Sequence, residues 1–256
     1  LRLLEGERGL RAKYYTCKQE MDAQDTNFSE KYKAYQIGYD TKVNENWTVG
    51  AALSYNDGTS STSNVANGVT GAWANGHGEQ KNISLGVYGS WKDKDGQYAD
   101  IIVKFSRLDS EYNMRFFNGV GTYDIDGDYK TWGTSISAEY GKRFEGDRGT
   151  YFEPSAELTY GHMAGKSYSA GTNYYGSTMY MDQDGFDTLV GRIGLRVGQK
   201  LENGSYFAKL ALAHEFMGDY DTRYNVDGKD HNSTHLEFGD SWYELQISGT
   251  AKLSAN

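Results

Sequence analysis

Lys33-Ala34-Tyr35-Gln36-Ile37-Gly38-Tyr39-Asp40 is the stretch from which the fold is read. Tyr35, Ile37 and Tyr39 fall on the odd positions; Ala34, Gln36, Gly38 and Asp40 fall on the even ones. Strand side chains alternate between faces, so this segment has one oily and one wet surface. The same pattern runs from end to end: roughly ten to fifteen alternating residues, then a polar turn. A sandwich in water would put its oily faces together. Charges repeated on the second face, strand after strand, point to a closed antiparallel β-barrel spanning a membrane, with lipid outside and water inside.

Composition agrees with that reading. The chain has 256 residues, enough for one large β-domain. Its mean hydropathy of -0.74 is low, and no run approaches the roughly 20 apolar residues of a spanning helix. A barrel needs no such run, because only alternate residues meet lipid. The 22 tyrosines and 5 tryptophans suit aromatic girdles at the two bilayer interfaces. One proline beside 32 glycines fits many strands with few breakers. A net charge of -9 argues against nucleic acid as the partner. Cys17 is the sole cysteine, so no internal disulfide forms. No signal peptide is visible at Leu1.

Alternation and turn chemistry predict ten strands, near 8–19, 31–43, 46–56, 80–92, 96–112, 128–143, 149–163, 186–200, 203–217 and 240–254. Their connections alternate in length. Short ones include Asn44-Glu45-Asn46 and Glu202-Asn203-Gly204; long polar loops are expected at 57–79, 110–127, 164–185 and 218–238. Short turns on the periplasmic side and long loops outside are the outer-membrane pattern. The segment 57–79, rich in Ser, Thr, Asn and Gly, reads as mobile and external.

Outward rows include Trp47, Val49, Ala51, Leu53 and Tyr55 on one strand and Leu189, Ile193, Leu195 and Val197 on another. Inward rows carry Asp100, Lys104, Glu139, Arg143, Glu153, Glu157, Arg192, Arg196, Lys209 and Glu244, with Asp40 and Glu215 beside them. These are the expected lumen-lining residues. Their mixed signs should pair across a water-filled interior. They could simply brace that interior, or form a lining along which an extended peptide slides.

Several segments then resemble the translocator β-domain of autotransporters, the pertactin-like type V secretion family. They are Tyr151-Phe152-Glu153-Pro154-Ser155-Ala156-Glu157-Leu158-Thr159-Tyr160-Gly161, Tyr88-Gly89-Ser90-Trp91 followed by Gly96 through Asp109, Gly191-Arg192-Ile193-Gly194-Leu195-Arg196, His214-Glu215-Phe216, and Gly239-Asp240-Ser241-Trp242-Tyr243-Glu244-Leu245. The ordered set covers nearly the whole chain. The resemblance implies a twelve-stranded barrel in the outer membrane of a Gram-negative bacterium, which secretes and displays an N-terminal passenger. Implied partners are the lipid bilayer, the passenger, the barrel assembly machinery and periplasmic chaperones; no cofactor is implied. Against that pattern, residues 1–256 are expected to form one incomplete domain. By that resemblance most of the linker helix before Leu10 and the last two strands after Asn256 are expected to be absent, leaving an open edge or a narrower barrel.

Other chemistry is weak. Asp124, Asp126 and Asp128 have the alternate spacing of a calcium loop, but Tyr129 stands where Gly is needed and Ser135 where Glu is needed. His231 and His235 lack a third zinc ligand. No Gly-x-Ser-x-Gly elbow occurs. The reading is therefore a transport module and not an enzyme. The alternatives are a small diffusion pore or a barrel hydrolase, for which His162 with Asp182 or Asp184 is the nearest acid–base pair.

Overall fold

Alternation produces strands almost without interruption. The computed structural model describes residues 9–23, 26–65, 72–117, 119–173, 176–237 and 239–251. Its strands are β1 (Gly9–Ala23), β2 (Thr26–Lys42), β3 (Trp47–Val65), β4 (Trp73–Lys92), β5 (Gln97–Phe117), β6 (Thr122–Lys142), β7 (Phe144–Glu145), β8 (Thr150–Met163), β9 (Lys166–Thr172), β10 (Thr178–Gln183), β11 (Phe186–Leu201), β12 (Gly204–Glu215), β13 (Asp219–Val226), β14 (Lys229–Glu237) and β15 (Ser241–Ala251). The main ladder runs β1-β2-β3-β4-β5-β6-β8-β11-β12-β15. Those ten strands are the ten alternating segments of the sequence. Among the described residues no ladder joins β15 to β1. The expected linker remnant at residues 1–8 and the closing turn at 252–256 lie outside the described residues.

The expected loops hold more strand than anticipated. β3 and β4 stay paired as far as Val65 and Trp73, and β5 and β6 as far as Phe117 and Thr122. The expected mobile loop at 57–79 is therefore largely hairpin, with 66–71 outside the described residues. β9, β10, β13 and β14 fill the other two expected loops. In these segments the outward positions turn polar, as at Asn113, Arg115, Asp124 and Asp126, so the outward apolar rows end while backbone pairing continues. β6 pairs with β8 from Gly133 to Gly141, then with β9 at Ile125 and Asp126. Above the main sheet the wall thus continues as β9, β10, β13 and β14.

The register staggers the strands. Trp47, Trp91, Ala99, Tyr140, Ala156, Ile193, Leu212 and Tyr243 are successive partners. That row starts beside the short turn before β3 and finishes near the loop end of β15, the shear that a barrel requires. The sheet also curls. Lys209 on β12 brings its Nζ within 3.5 Å of Glu139 Oε1 on β6, three ladders away. At about 4.8 Å per strand a flat sheet would hold that pair about 14 Å apart.

The curl leaves the oily face convex and uncovered. Ile37, Leu53, Leu85 and Phe105 form one registered row with no second layer over it. The concave face is the buried one, and it is polar: the largest side chains under 2% exposed are Tyr98, Glu153 and Asp40. This inverts the arrangement of a protein dissolved in water. Tyrosines lock the concave face by lying over a glycine directly opposite. Tyr88 covers Gly50, Tyr98 covers Gly141, Tyr112 covers Gly127, and Tyr151 covers Gly198. A Cβ on Gly141 would sit 2.5 Å from the Tyr98 ring. Gly141→Ala is expected to push that ring off Glu139 and lower stability by about 1–3 kcal/mol, read as a shift in the urea midpoint of the refolded protein.

Candidate functional site on the concave face

Period-two alternation puts Asp100, Lys104, Glu139, Arg143, Glu153, Glu157, Arg192, Arg196, Lys209 and Glu244 on the concave face. Register then fixes their neighbours. Asp100, Glu139, Glu157 and Arg192 are successive partners across β5, β6, β8 and β11. Glu153, Arg196 and Lys209 are partners across β8, β11 and β12. Three carboxylates in one row would repel, and the cations beside them answer that repulsion.

Glu153 is the centre of the tightest group. Its side chain is fully buried and accepts from Arg143 Nε at 2.7 Å and from Arg196 Nη1. Each guanidinium also stacks on an aromatic ring. Arg143 lies 4.2 Å over Tyr151 and Arg196 lies 4.8 Å over Phe207. The planar fork of Arg suits this double duty in a way Lys would not.

A second group follows along the face. Glu139 accepts from the Tyr98 hydroxyl at 3.0 Å and faces Lys209. Glu157 accepts from Thr159 at 2.9 Å, Ser137 at 3.2 Å and Arg192 Nη1 at 3.3 Å. Arg192 Nε reaches on to Glu244 at 3.0 Å, which also takes the Trp242 indole N–H at 2.9 Å. Asp100 accepts from Ser90, and Asp40 from Tyr88. Glu215 accepts two backbone N–H groups, from Leu189 and Met217. Lys104 projects from the same face and is exposed. The face therefore presents charge that is largely neutralised in place.

Two features escaped the sequence reading. One is an aromatic patch on the same face in the upper wall. Tyr112 and Tyr168 share a 3.0 Å hydrogen bond, and Tyr129 stacks on Tyr168 at 5.1 Å. Burial there, with the bond to Tyr112, pushes the Tyr168 phenol far above its ordinary value. Its signal was Tyr112 and Tyr129 continuing the phase of the concave rows. The other is the partner of His162. That ring meets Asp187 at 2.8 Å on the convex face, where Tyr160 donates to the same carboxylate at 2.7 Å. Asp182 and Asp184 are instead held by Arg223, so neither pairs with His162 as expected. The Ser167 hydroxyl and Arg223 together hold the Asp182 carboxyl below its usual value. Asp124 likewise binds Arg115, and His235 binds Asp221; the side chain of His231 lies outside the described residues. No cluster suited to a metal ion occurs among the described residues.

With this geometry in view, comparison with known proteins is informative. The model of the autotransporter β-domain family matches residues 10–256. The chain belongs to the autotransporter β-domain family. Over 133 residues, half of this β-domain, it is 29% identical to the pertactin autotransporter of Bordetella parapertussis. The matched region is 14% of that relative's length. In fold, the β-domain is similar to the crystal structure of the β domain of the Bordetella autotransporter BrkA. That match has a TM-score of 0.63 at 20% identity and covers 95% of this chain and 97% of the other. It is also similar to the translocator domain of NalP from Neisseria meningitidis, with a TM-score of 0.62 at 14% identity, covering 94% and 86%. The curled antiparallel sheet is thus of outer-membrane barrel type, the fold of the autotransporter β-domain family.

Proposed function

We propose that the concave face is the wall of the channel through which this translocator carries its own passenger polypeptide to the cell surface. The observation that carries the reading is the inversion of burial. Glu153 is 1% exposed on one side of the sheet while Ile193 is 62% exposed on the other. A hydrocarbon surround and a wet interior account for both.

The paired charges define how such a wall works. An extended polypeptide in transit offers amides and side chains of either sign. A wall with uncompensated charge of one sign would hold it by Coulomb attraction in a low-dielectric enclosure. Glu153 between two arginines, and Glu139 facing Lys209, cancel that field locally. The wall stays hydrated without becoming adhesive. The chain itself then does no chemistry: His162 faces outward, and its acid partner is on the lipid side. The assembly machinery and chaperones of the periplasm are the partners that would insert it.

The test uses the native gene with an epitope in the segment upstream of the β-domain. Intact cells should expose the epitope to added protease, and deletion of the β11–β12 hairpin should reduce surface exposure by at least about tenfold, a 1.4 kcal/mol equivalent. Undiminished display after deletion would refute the proposal. Cleavage of added peptides by the refolded chain would refute the non-enzymatic part.

A further inference from the structure

The two halves of the concave face differ in bulk. On β3 from Gly50 to Asn64, and on β4 from Ala74 to Tyr88, every concave residue is uncharged. None on β3 is larger than Asn, and on β4 only Gln80 and Tyr88 are. Tyr88 lies over Gly50 at the lower end. Above it, neutral residues face neutral ones: Ala52 is opposite Gly86, Asn56 opposite Asn82, and Ser60 opposite Gly78. Charge reaches this strip only at its borders. Glu30 on β2 is opposite Ser60, and Lys104 on β5 is opposite Gly86. Asp40 and Asp100 are buried lower down, where Tyr88 and Ser90 donate to them.

The wall formed by β6, β8, β11 and β12 is filled by its own side chains. Lys209 stretches across three ladders to Glu139, and Glu153 is closed in by Arg143 and Arg196. Its glycines are roofed. A Cβ added to Gly141 or Gly198 would strike the Tyr98 or Tyr151 side chain, and one added to Gly194 would meet Lys209 Cε at 3.0 Å. A Cβ added to Gly86 would meet only backbone oxygens, at 3.7 and 3.9 Å. Among the described residues, the open side of the interior is thus the one over β3 and β4.

We infer that the passenger in transit runs as an extended segment along β3 and β4, over Ser54, Asn56, Ser60, Asn82 and Gly86, and not along the charged wall. The inference rests on the concave face being the channel wall, and adds which part of it the passenger touches. Room and chemistry together name this occupant. A polypeptide presents an amide at every residue. The hydroxyl and carboxamide side chains of the strip exchange hydrogen bonds with amides and with water at a net gain of only about 1 kcal/mol each. Passenger side chains of either sign meet no fixed opposite charge over most of the strip, so Coulomb attraction does not hold them. Contact with the other wall would instead require opening buried ion pairs, which leaves charges unanswered.

The test is made in cells with the full-length protein carrying Cys17→Ser. Its passenger is arrested in transit by a folded domain fused upstream, and has one cysteine in the segment held within the lumen. Single cysteines are placed on the strip by Ser54→Cys, Ser60→Cys or Asn82→Cys, and on the charged wall by Ser137→Cys or Thr159→Cys. Each rate of disulfide trapping is scaled by the reaction of the same thiol with a small methanethiosulfonate reagent. Trapping should be at least about tenfold faster on the strip, where the effective concentration of the passenger thiol is highest. Equal trapping on both walls, or faster trapping on the charged wall, would overturn the strip while leaving the channel intact. Trapping at none of these positions would sink the channel reading, and the strip with it. Gly86→Phe puts a ring into the path and should lower surface display severalfold at an unchanged amount of folded barrel. Undiminished display by that folded variant would overturn the strip. The trapping result stands whether or not Gly86→Phe folds.

Discussion

Glu153→Ala is expected to destabilise the refolded β-domain by about 3–5 kcal/mol, the largest effect of any single truncation on the concave face. The carboxylate is fully buried and is shared by Arg143 and Arg196, whose own side chains are 8% and 9% exposed. Deleting it leaves two guanidiniums close together with neither water nor an anion to answer them. The attraction lost is only part of the cost; the desolvation already incurred by the arginines is the rest. The sign should change when the whole group is exchanged. Replacing Glu153, Arg143 and Arg196 together by apolar residues of similar volume removes the penalty along with the attraction, and should be near neutral or stabilising. Urea-induced unfolding in micelles, followed by tryptophan fluorescence, measures both. A single variant within about 1 kcal/mol of wild type would show that water reaches the group and that the closed cluster does not exist in solution.

The second large effect is on the other face. Ile193→Arg is expected to cost about 2–4 kcal/mol in a bilayer, and to reduce the amount of folded protein in outer-membrane fractions severalfold. Val43→Arg is the matched control. Both residues are 62% exposed, but Ile193 lies within the apolar convex rows and Val43 in a short turn at the sheet's end. Exposure to water would make the two substitutions equivalent. Exposure to hydrocarbon at one site only makes them diverge. Equal stability of the two variants in vesicles would contradict the membrane placement.

The ten main strands were legible because two solvents impose opposite demands on alternate residues. Trp47, Val49, Ala51, Leu53 and Tyr55 keep period two along the whole of one strand. Legibility stopped where that contrast stops. Beyond the bilayer both faces of Ser60–Asn64 or Thr178–Gln183 meet water, so nothing but backbone pairing maintains the strand, and pairing leaves little trace in composition. The charged residues of the concave face were likewise visible as a set, but not as pairs. Glu153 finds Arg196 because they are opposite in register, and it finds Arg143 only because the chain after β6 folds back beside β8. His162 was matched to Asp182 or Asp184, whereas register sets Asp187 directly opposite it. The tyrosine–glycine pairs needed the register too, since Tyr98 and Gly141 are distant in the chain and adjacent in space.

The exchange of partners along β6, from β8 below to β9 above, divides the molecule into storeys with different rules. The lower storey answers to hydrocarbon, and nearly every outward position there is constrained. The upper one is held by its own hairpins: β13 and β14 meet at an Asp227-Gly228 turn, and Arg223 clamps Asp182 and Asp184. Insertions, nicks or wholesale sequence drift upstairs need not disturb anything embedded below. The part above the bilayer is therefore free to diverge in sequence while the embedded part beneath it keeps its pattern.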